Sequence, residues 1–208
     1  MDKWCELNKL WEEYFHLTVY KNNHLVKPLL HNWLGSYLTQ NYKFIFSGQY
    51  KTFRVHVFIL QPSRTGKSDA MKTTSFLLSK GLNLDSFYTL DINSSSLMGT
   101  VIMNRKGEIV NKYGQLRYRN SIFWDEGSVL LQNRMHSEII TDIVQMATDD
   151  PGYVSRGMQL GTLEYPTITS LCAGSYVEDN VEKTVLNKGL FQRLYVIFHN
   201  TTEEERLD

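Results

Sequence analysis

Cysteine is scarce in this chain, with only Cys5 and Cys172 among 208 residues. Two distant cysteines, with no C-x-x-C or H-x-x-x-H pair near them, argue against a disulfide framework and against a structural zinc site. Long apolar runs are missing too. No stretch reaches the roughly 18 residues of a membrane-spanning helix, and the N-terminus lacks the basic-then-apolar order of an export signal. The expectation is a soluble, reduced, intracellular protein that uses no membrane. Net charge is absent as well, 22 basic side chains facing 22 acidic ones. No global field draws the chain to nucleic acid, so any such contact must come from a few local cations, concentrated by oligomerisation. His16, His24, His31, His56, His136 and His199 form no metal-like constellation, and nucleophilic Ser/His/Asp chemistry has no anchor.

What is present reads as one domain with a small helical appendage. Hydrophobic residues at 42% and charged residues at 21% are ordinary globular values. Residues 3–39 read as mostly helical: Trp4, Leu7, Leu10, Trp11, Tyr14 and Phe15 recur at helical spacing. A second helix is expected from Pro28, placed in its first turn, through Trp33 and Tyr37. These aromatics read as packing rather than as a base-stacking platform. The natural division is an N-terminal helical segment, 1–41, and a core, 42–208.

In the core the pattern changes to strands, loops and helices. "FRVHVFIL" (53–60) is a buried strand, and "KSDAMKTTSFLLSKG" after it is a helix closed by Gly81. "TVIMNRKGEIV" (100–110) predicts a hairpin turning at Arg105-Lys106-Gly107. "NSIFWDE" (120–126) is a strand ending in acids. Residues 128–147 predict a helix stopped at Asp149-Asp150-Pro151-Gly152. A second hairpin spans 153–165, with its turn near Arg156-Gly157, and "TITSLCAGS" and "RLYVIFH" close as strands. Alternating strands and helices imply a parallel α/β sheet with function at the strand C-termini.

The loop between the first strand and helix, "QPSRTGKS", ends like the Walker A pattern G-x-x-x-x-G-K-[ST] but begins with Gln61 where that pattern has glycine. Gly66 stands where backbone must come closest to phosphate, Lys67 where an amine reaches the terminal phosphates, and Ser68 where a hydroxyl meets Mg²⁺. Gln61-Pro62 can make its own tight turn. Gly-Lys-Ser alone also occurs in ordinary loops. "SIFWDE" adds Asp125 and Glu126 at a strand end, the Walker B arrangement of one acid for the metal shell and one for water. Together the two motifs, on the right elements and in order, read as a nucleotide site for ATP and Mg²⁺.

The order of motifs resembles the AAA+ ATPases of the minichromosome maintenance (MCM) type, the hexameric replicative helicases, and related virus and plasmid helicase domains. "QPSRTGKS" is similar to that family's G-[DE]-P-[SG]-x-[AG]-K-S loop, keeping Pro62, Ser63, Lys67 and Ser68. "SSSLMGTVIMNRKGEIVNKYGQLRYRNSIFWDE" resembles its run from a helix-2 insertion into Walker B, with Gly99-Thr100 and Gly114-Gln115-Leu116 in place. "YVSRGMQLGTLEYPTITSLCAGS" resembles a presensor-1 hairpin leading into the sensor-1 strand, and "GLFQRLYVIF" the family's "LLSRFDLIF". The likeness covers roughly residues 45–205.

The resemblance implies a P-loop NTPase of AAA+ type, a parallel sheet flanked by helices, with β-hairpin insertions. Gln61, Pro62, Ser63, Arg64, Thr65, Gly66, Lys67 and Ser68 would form the nucleotide loop. Ser68 and Asp125 would hold Mg²⁺, and Glu126 would activate water. Ser175 would be the sensor-1 group, where the family prefers Asn, and Arg193 a finger acting in trans on a neighbour. Arg105, Lys106 and Arg156, carried on the hairpins, would line a ring's channel and meet the DNA backbone. The lid that supplies sensor 2 in this family is expected to be absent, since the chain stops at "TTEEERLD". The implied function is an ATP-hydrolysing ring that translocates on DNA during replication. The alternative is a non-motor initiator, loader or regulatory assembly module; a metabolic kinase would explain neither hairpins nor finger.

Overall fold

The computed structural model describes residues 23–62, 65–131, 135–176 and 189–199, with the isolated positions Cys5, Lys9 and Glu13. The first expected helix lies almost wholly outside these residues. The second is α1, Asn23–Asn41, and it places Pro28 inside the helix rather than in its first turn. Proline removes only the amide that would reach back to residue 24. Complete burial of Leu25, Leu29 and Leu30 on either side offsets that loss.

A small hairpin follows, β1 Phe44–Phe46 and β2 Gln49–Lys51. It turns through Ser47 (φ 52°) and Gly48 (φ 75°), the paired positive φ that a two-residue hairpin turn demands. The core then runs β3 Val57–Leu60, α2 Lys67–Phe76, β4 Ser86–Thr89, α3 Ser94–Leu97, β5 Gly99–Met103 and β6 Ile109–Tyr113. It continues as α4 Gln115–Tyr118, β7 Ser121–Trp124, α5 Met135–Thr148, β8 Gly152–Met158, β9 Gly161–Thr167, β10 Ser170–Ser175 and β11 Tyr195–Phe198. After α2 the chain widens into a π-helical turn over Leu77–Gly81, so the expected stop at Gly81 holds. The helix expected over 128–147 is divided: a 3₁₀ turn covers Ser128–Leu131 and α5 begins at Met135.

Five strands make one wholly parallel sheet in the order β11-β3-β10-β7-β4. Strand alternation explains why both faces need covering. Val57, Ile59, Phe123 and Cys172 point towards α1 and α2, meeting Leu25, Leu29, Ala70 and Met71. Their neighbours Phe58, Leu60, Ile122, Trp124 and Leu171 point the other way, onto Ile140, Ile143, Val144 and Ala147 of α5. β3, β7 and β10 are buried along their whole length, and their C-terminal ends share one edge.

Two antiparallel hairpins project from this core. β5–β6 turns over Asn104–Glu108, where the Asn104 Oδ1 accepts from the amides of Lys106 (2.9 Å) and Glu108 (3.0 Å). Its base is closed by two glycines: a Cβ on Gly99 (φ 114°) would sit 2.3 Å from the Lys112 carbonyl oxygen, and one on Gly114 2.6 Å from the Gly99 nitrogen. The β8–β9 turn falls at Gln159-Leu160, not near Arg156-Gly157, which are paired inside the ladder with Leu163 and Thr162. Buried Val154, Leu163 and Tyr165 pin that register, because a shift by one residue would turn them to solvent.

Just ahead of β3, His56 is 6% exposed and accepts from the Leu171 amide on Nδ1 at 3.1 Å, while its carbonyl accepts from the Tyr195 amide at 2.7 Å. It therefore ties β3 to both neighbours. Burial, reinforced by the Arg54 guanidinium, pushes its pKa down from 6.5 to about 3. Between those values the unfolded chain binds a proton that the folded chain refuses. Stability is fully present above about pH 6.5 and falls as pH drops towards 3, by on the order of 5 kcal/mol at about 1.4 kcal/mol per unit. Urea midpoints recorded from pH 7 to pH 4 should show that slope, and His56→Asn, which keeps an acceptor without a titrating proton, should flatten it. Equal slopes in both proteins would remove His56 as the cause.

Candidate functional site

β3 does not end its pairing at Leu60, because the Gln61 amide still donates to the Ser175 carbonyl of β10 at 3.2 Å. After the loop the chain enters α2. Gly66, with φ 84° and ψ 6°, makes the reversal that a Cβ would resist, and its carbonyl accepts the Ala70 amide at 3.0 Å. Within the loop the Thr65 hydroxyl donates to the Pro62 carbonyl at 2.6 Å. Ser63 and Arg64 lie outside the described residues.

Lys67 is only 5% exposed, a position lysine occupies when something holds its ammonium. Nζ donates to the backbone carbonyl of Asp125 at 3.1 Å and stands 4.0 Å from its Oδ1, with the Tyr176 ring centroid 4.8 Å away. Burial lowers the Lys67 pKa below its ordinary value, with Asp125 and Glu126 opposing that shift. Gly174 leaves the corridor: a Cβ there would lie 2.8 Å from Lys67 Cδ. Asp125 accepts from Ser68 Oγ on Oδ1 (2.9 Å) and from the Tyr88 phenol on Oδ2 (2.8 Å). Burial, together with the bond to that carboxylate, raises the Tyr88 pKa, so the phenol stays a donor.

Two further polar groups at this end of the sheet, Glu126 Oε1 and Ser175 Oγ, are buried with no hydrogen-bond partner among the described residues. Buried polar atoms are paired in the great majority of cases, so orphans beside a buried lysine and carboxylate point to a ligand or water that belongs there. Ser175 closes β10, which lies between the loop strand β3 and the acid strand β7.

The fold thus gathers Gln61, Pro62, Thr65, Gly66, Lys67, Ser68, Asp125, Glu126 and Ser175 at one end of the sheet. Arg193 is elsewhere. It precedes Tyr195, which pairs with Val57 at the start of β3, so it lies at the end of the strands opposite Lys67 of its own chain. Its Nε donates to Asp149 and its Nη1 to the Gly189 carbonyl at 2.8 Å. Arg105 and Lys106 occupy the exposed β5–β6 tip, flanked by exposed Met103 and Ile109. Arg156 is not at a tip; it lines an open cleft with Asp142, Gln145 and Asp149.

Several partners were not legible in the motifs. Tyr88 sits on a strand the sequence pattern did not reveal, and Tyr176 directly follows Ser175. His24 reaches the loop from α1, where its Nε2 lies 2.9 Å from Gln61 Oε1. Among the described residues no cluster of three or more His, Cys, Asp or Glu could hold a metal. Ser68 and Asp125 do suit Mg²⁺, which takes one or two protein oxygens and completes its shell from phosphate and water.

Comparison with protein-family models and with curated proteins returned no match. The class is defined by fold and site alone: an α/β protein whose all-parallel five-stranded sheet, helices on both faces, is compatible with a phosphate-loop fold. No described helix is long and apolar enough to cross a membrane.

Proposed function

We propose that this chain is the ATP-binding and hydrolysing core of an AAA+-type ring of the MCM-like kind, acting on DNA in replication. The observation that carries the reading is the meeting of Lys67 and Ser68 with Asp125, at 3.1 and 2.9 Å, beside the orphaned Glu126 Oε1. An incoming triphosphate would be received by the amides at the start of α2 and by the Lys67 ammonium, which exchanges the Asp125 carbonyl for a phosphate oxygen. Ser68 Oγ and the Asp125 carboxylate would hold Mg²⁺, whose charge offsets that of the phosphates. Glu126 would orient the attacking water, and Ser175 would be the sensor-1 group. Arg193 cannot serve its own site from the opposite end of the strands, which favours action in trans.

A non-motor assembly module is favoured by one specific feature: Arg193 is already paired to Asp149 within its own chain. A finger so held contributes only once a neighbour displaces Asp149, so the isolated chain would bind nucleotide without sustained turnover.

The β5–β6 tip is the proposed DNA contact. Repeated around a ring, Arg105 and Lys106 would make a basic channel from neutral subunits, touching backbone rather than base edges. ATP turnover is expected to rise faster than protein concentration and again on adding single-stranded DNA. Reversing Arg105 and Lys106 to Glu should remove that stimulation and flatten the logarithmic salt dependence of DNA binding by roughly 0.7 per lost contact. Stimulation undiminished in the double variant would contradict the assignment.

A further inference from the structure

Gln61 stands where the phosphate-loop pattern has glycine, yet it is 0% exposed. Its side chain is fully engaged. Nε2 donates to the Thr65 hydroxyl at 2.6 Å and to the Thr65 carbonyl at 3.1 Å, while Oε1 lies 2.9 Å from His24 Nε2. The Thr65 hydroxyl in turn donates to the Pro62 carbonyl at 2.6 Å. The senses agree along the chain: imidazole N–H to amide oxygen, amide N–H to hydroxyl, hydroxyl O–H to carbonyl. Bonds in such a row polarise one another. They span the loop from its first residue to the one before Gly66, whose left-handed turn leads into α2. The anchor is also fixed: the His24 ring stacks on His199 at 3.9 Å, and the His199 amide donates to the Leu60 carbonyl at 3.0 Å.

We infer that Gln61 is a positioning residue for the phosphate loop, its amide bracing Thr65 and Gly66 in the anion-receiving turn and its contact with His24 tying that brace to α1. The inference rests on the nucleotide reading above. A glycine permits a tight turn through backbone freedom and leaves ordering to the bound phosphate. Gln61 builds the order in beforehand, which lowers the conformational cost of binding. Restoring the pattern's glycine should therefore weaken the site. The competing reading is that Gln61 only fills space under the loop.

Calorimetric titration of the full chain with Mg²⁺-ATP and with inorganic triphosphate separates the two. Gln61→Gly is expected to weaken both ligands by on the order of tenfold to a hundredfold. Gln61→Met keeps the volume and loses every side-chain hydrogen bond, so it should weaken them similarly, and it decides the matter where the glycine variant fails to fold. His24→Phe keeps a ring against His199 without the donor and should give a smaller loss in the same direction. Melting of each ligand-free variant is recorded alongside, because a space-filling role lowers the melting midpoint and leaves the affinity of folded protein intact. Gln61→Met binding as tightly as the native chain overturns the brace. Native chain binding no better than Lys67→Ala overturns the nucleotide reading and the brace together.

Discussion

Lys67→Ala is expected to abolish ATP binding, and Glu126→Gln to preserve binding while removing turnover. The two side chains lie at the same sheet edge but have different work. The Lys67 ammonium is buried, stripped of solvent and held by a carbonyl and a nearby carboxylate, so it can be handed to a phosphate oxygen with little further desolvation. Charge-assisted contacts of this kind are the strong ones, and losing them should weaken binding by at least about a hundredfold. Glu126 makes no such contact. Its Oε1 is buried without a partner, as a group awaiting water would be, and an amide there can no longer take a proton. General-base contributions are about 10²–10⁴ in rate, which sets the expected loss for Glu126→Gln. Titration calorimetry and single-turnover hydrolysis measure the two effects separately. Undiminished turnover in both variants would sink the site.

The second large effect concerns Arg193. From the start of β11 it cannot reach the loop that follows β3 in the same chain, since parallel strands put these positions at opposite ends of the strands. Arg193→Ala should leave nucleotide affinity nearly intact and cut hydrolysis by up to about 10³–10⁵, the range for a finger supplied to a neighbour. Mixing Arg193→Ala with Glu126→Gln should restore part of the activity. Some interfaces then combine an intact Glu126 site with an intact Arg193. Absence of rescue, where mixed assemblies are shown to form, would count against action in trans. The Asp149 contact sharpens the expectation. A chain kept dilute holds Arg193 in its own ion pair, so the variant's defect should emerge only at concentrations where native turnover climbs.

How much of this was legible in the sequence depended on how much each residue had to bury. β3, β7 and β10 are covered on both faces, so each reads as an unbroken apolar run, and the loop and acids at their ends could be placed from those runs alone. β4 escaped because Ser86–Thr89 is half-buried at a sheet edge and shows neither a run nor an alternation. The β1–β2 hairpin escaped because its strands are three residues long and largely exposed. The sequence pattern places a turn near Gly157, yet that glycine is an ordinary ladder residue with open space where its Cβ would stand. Arg156 consequently faces a cleft containing Asp142 and Asp149 instead of leading a hairpin tip, which leaves Arg105 and Lys106 as the tip cations. The chemistry around Asp125 was half visible. Lys67, Ser68 and Glu126 follow a spacing, whereas Tyr88 and His24 reach the site only because the sheet order and the packing of α1 bring distant segments together.

The most direct measurement is equilibrium binding of Mg²⁺-ATP to the native chain with Lys67→Ala as its control, at a protein concentration low enough to keep chains apart. Saturable binding by the native chain that vanishes in Lys67→Ala is the expected result. Binding that is equal in the two, or absent from both, would contradict a phosphate site built from Lys67, Ser68 and Asp125.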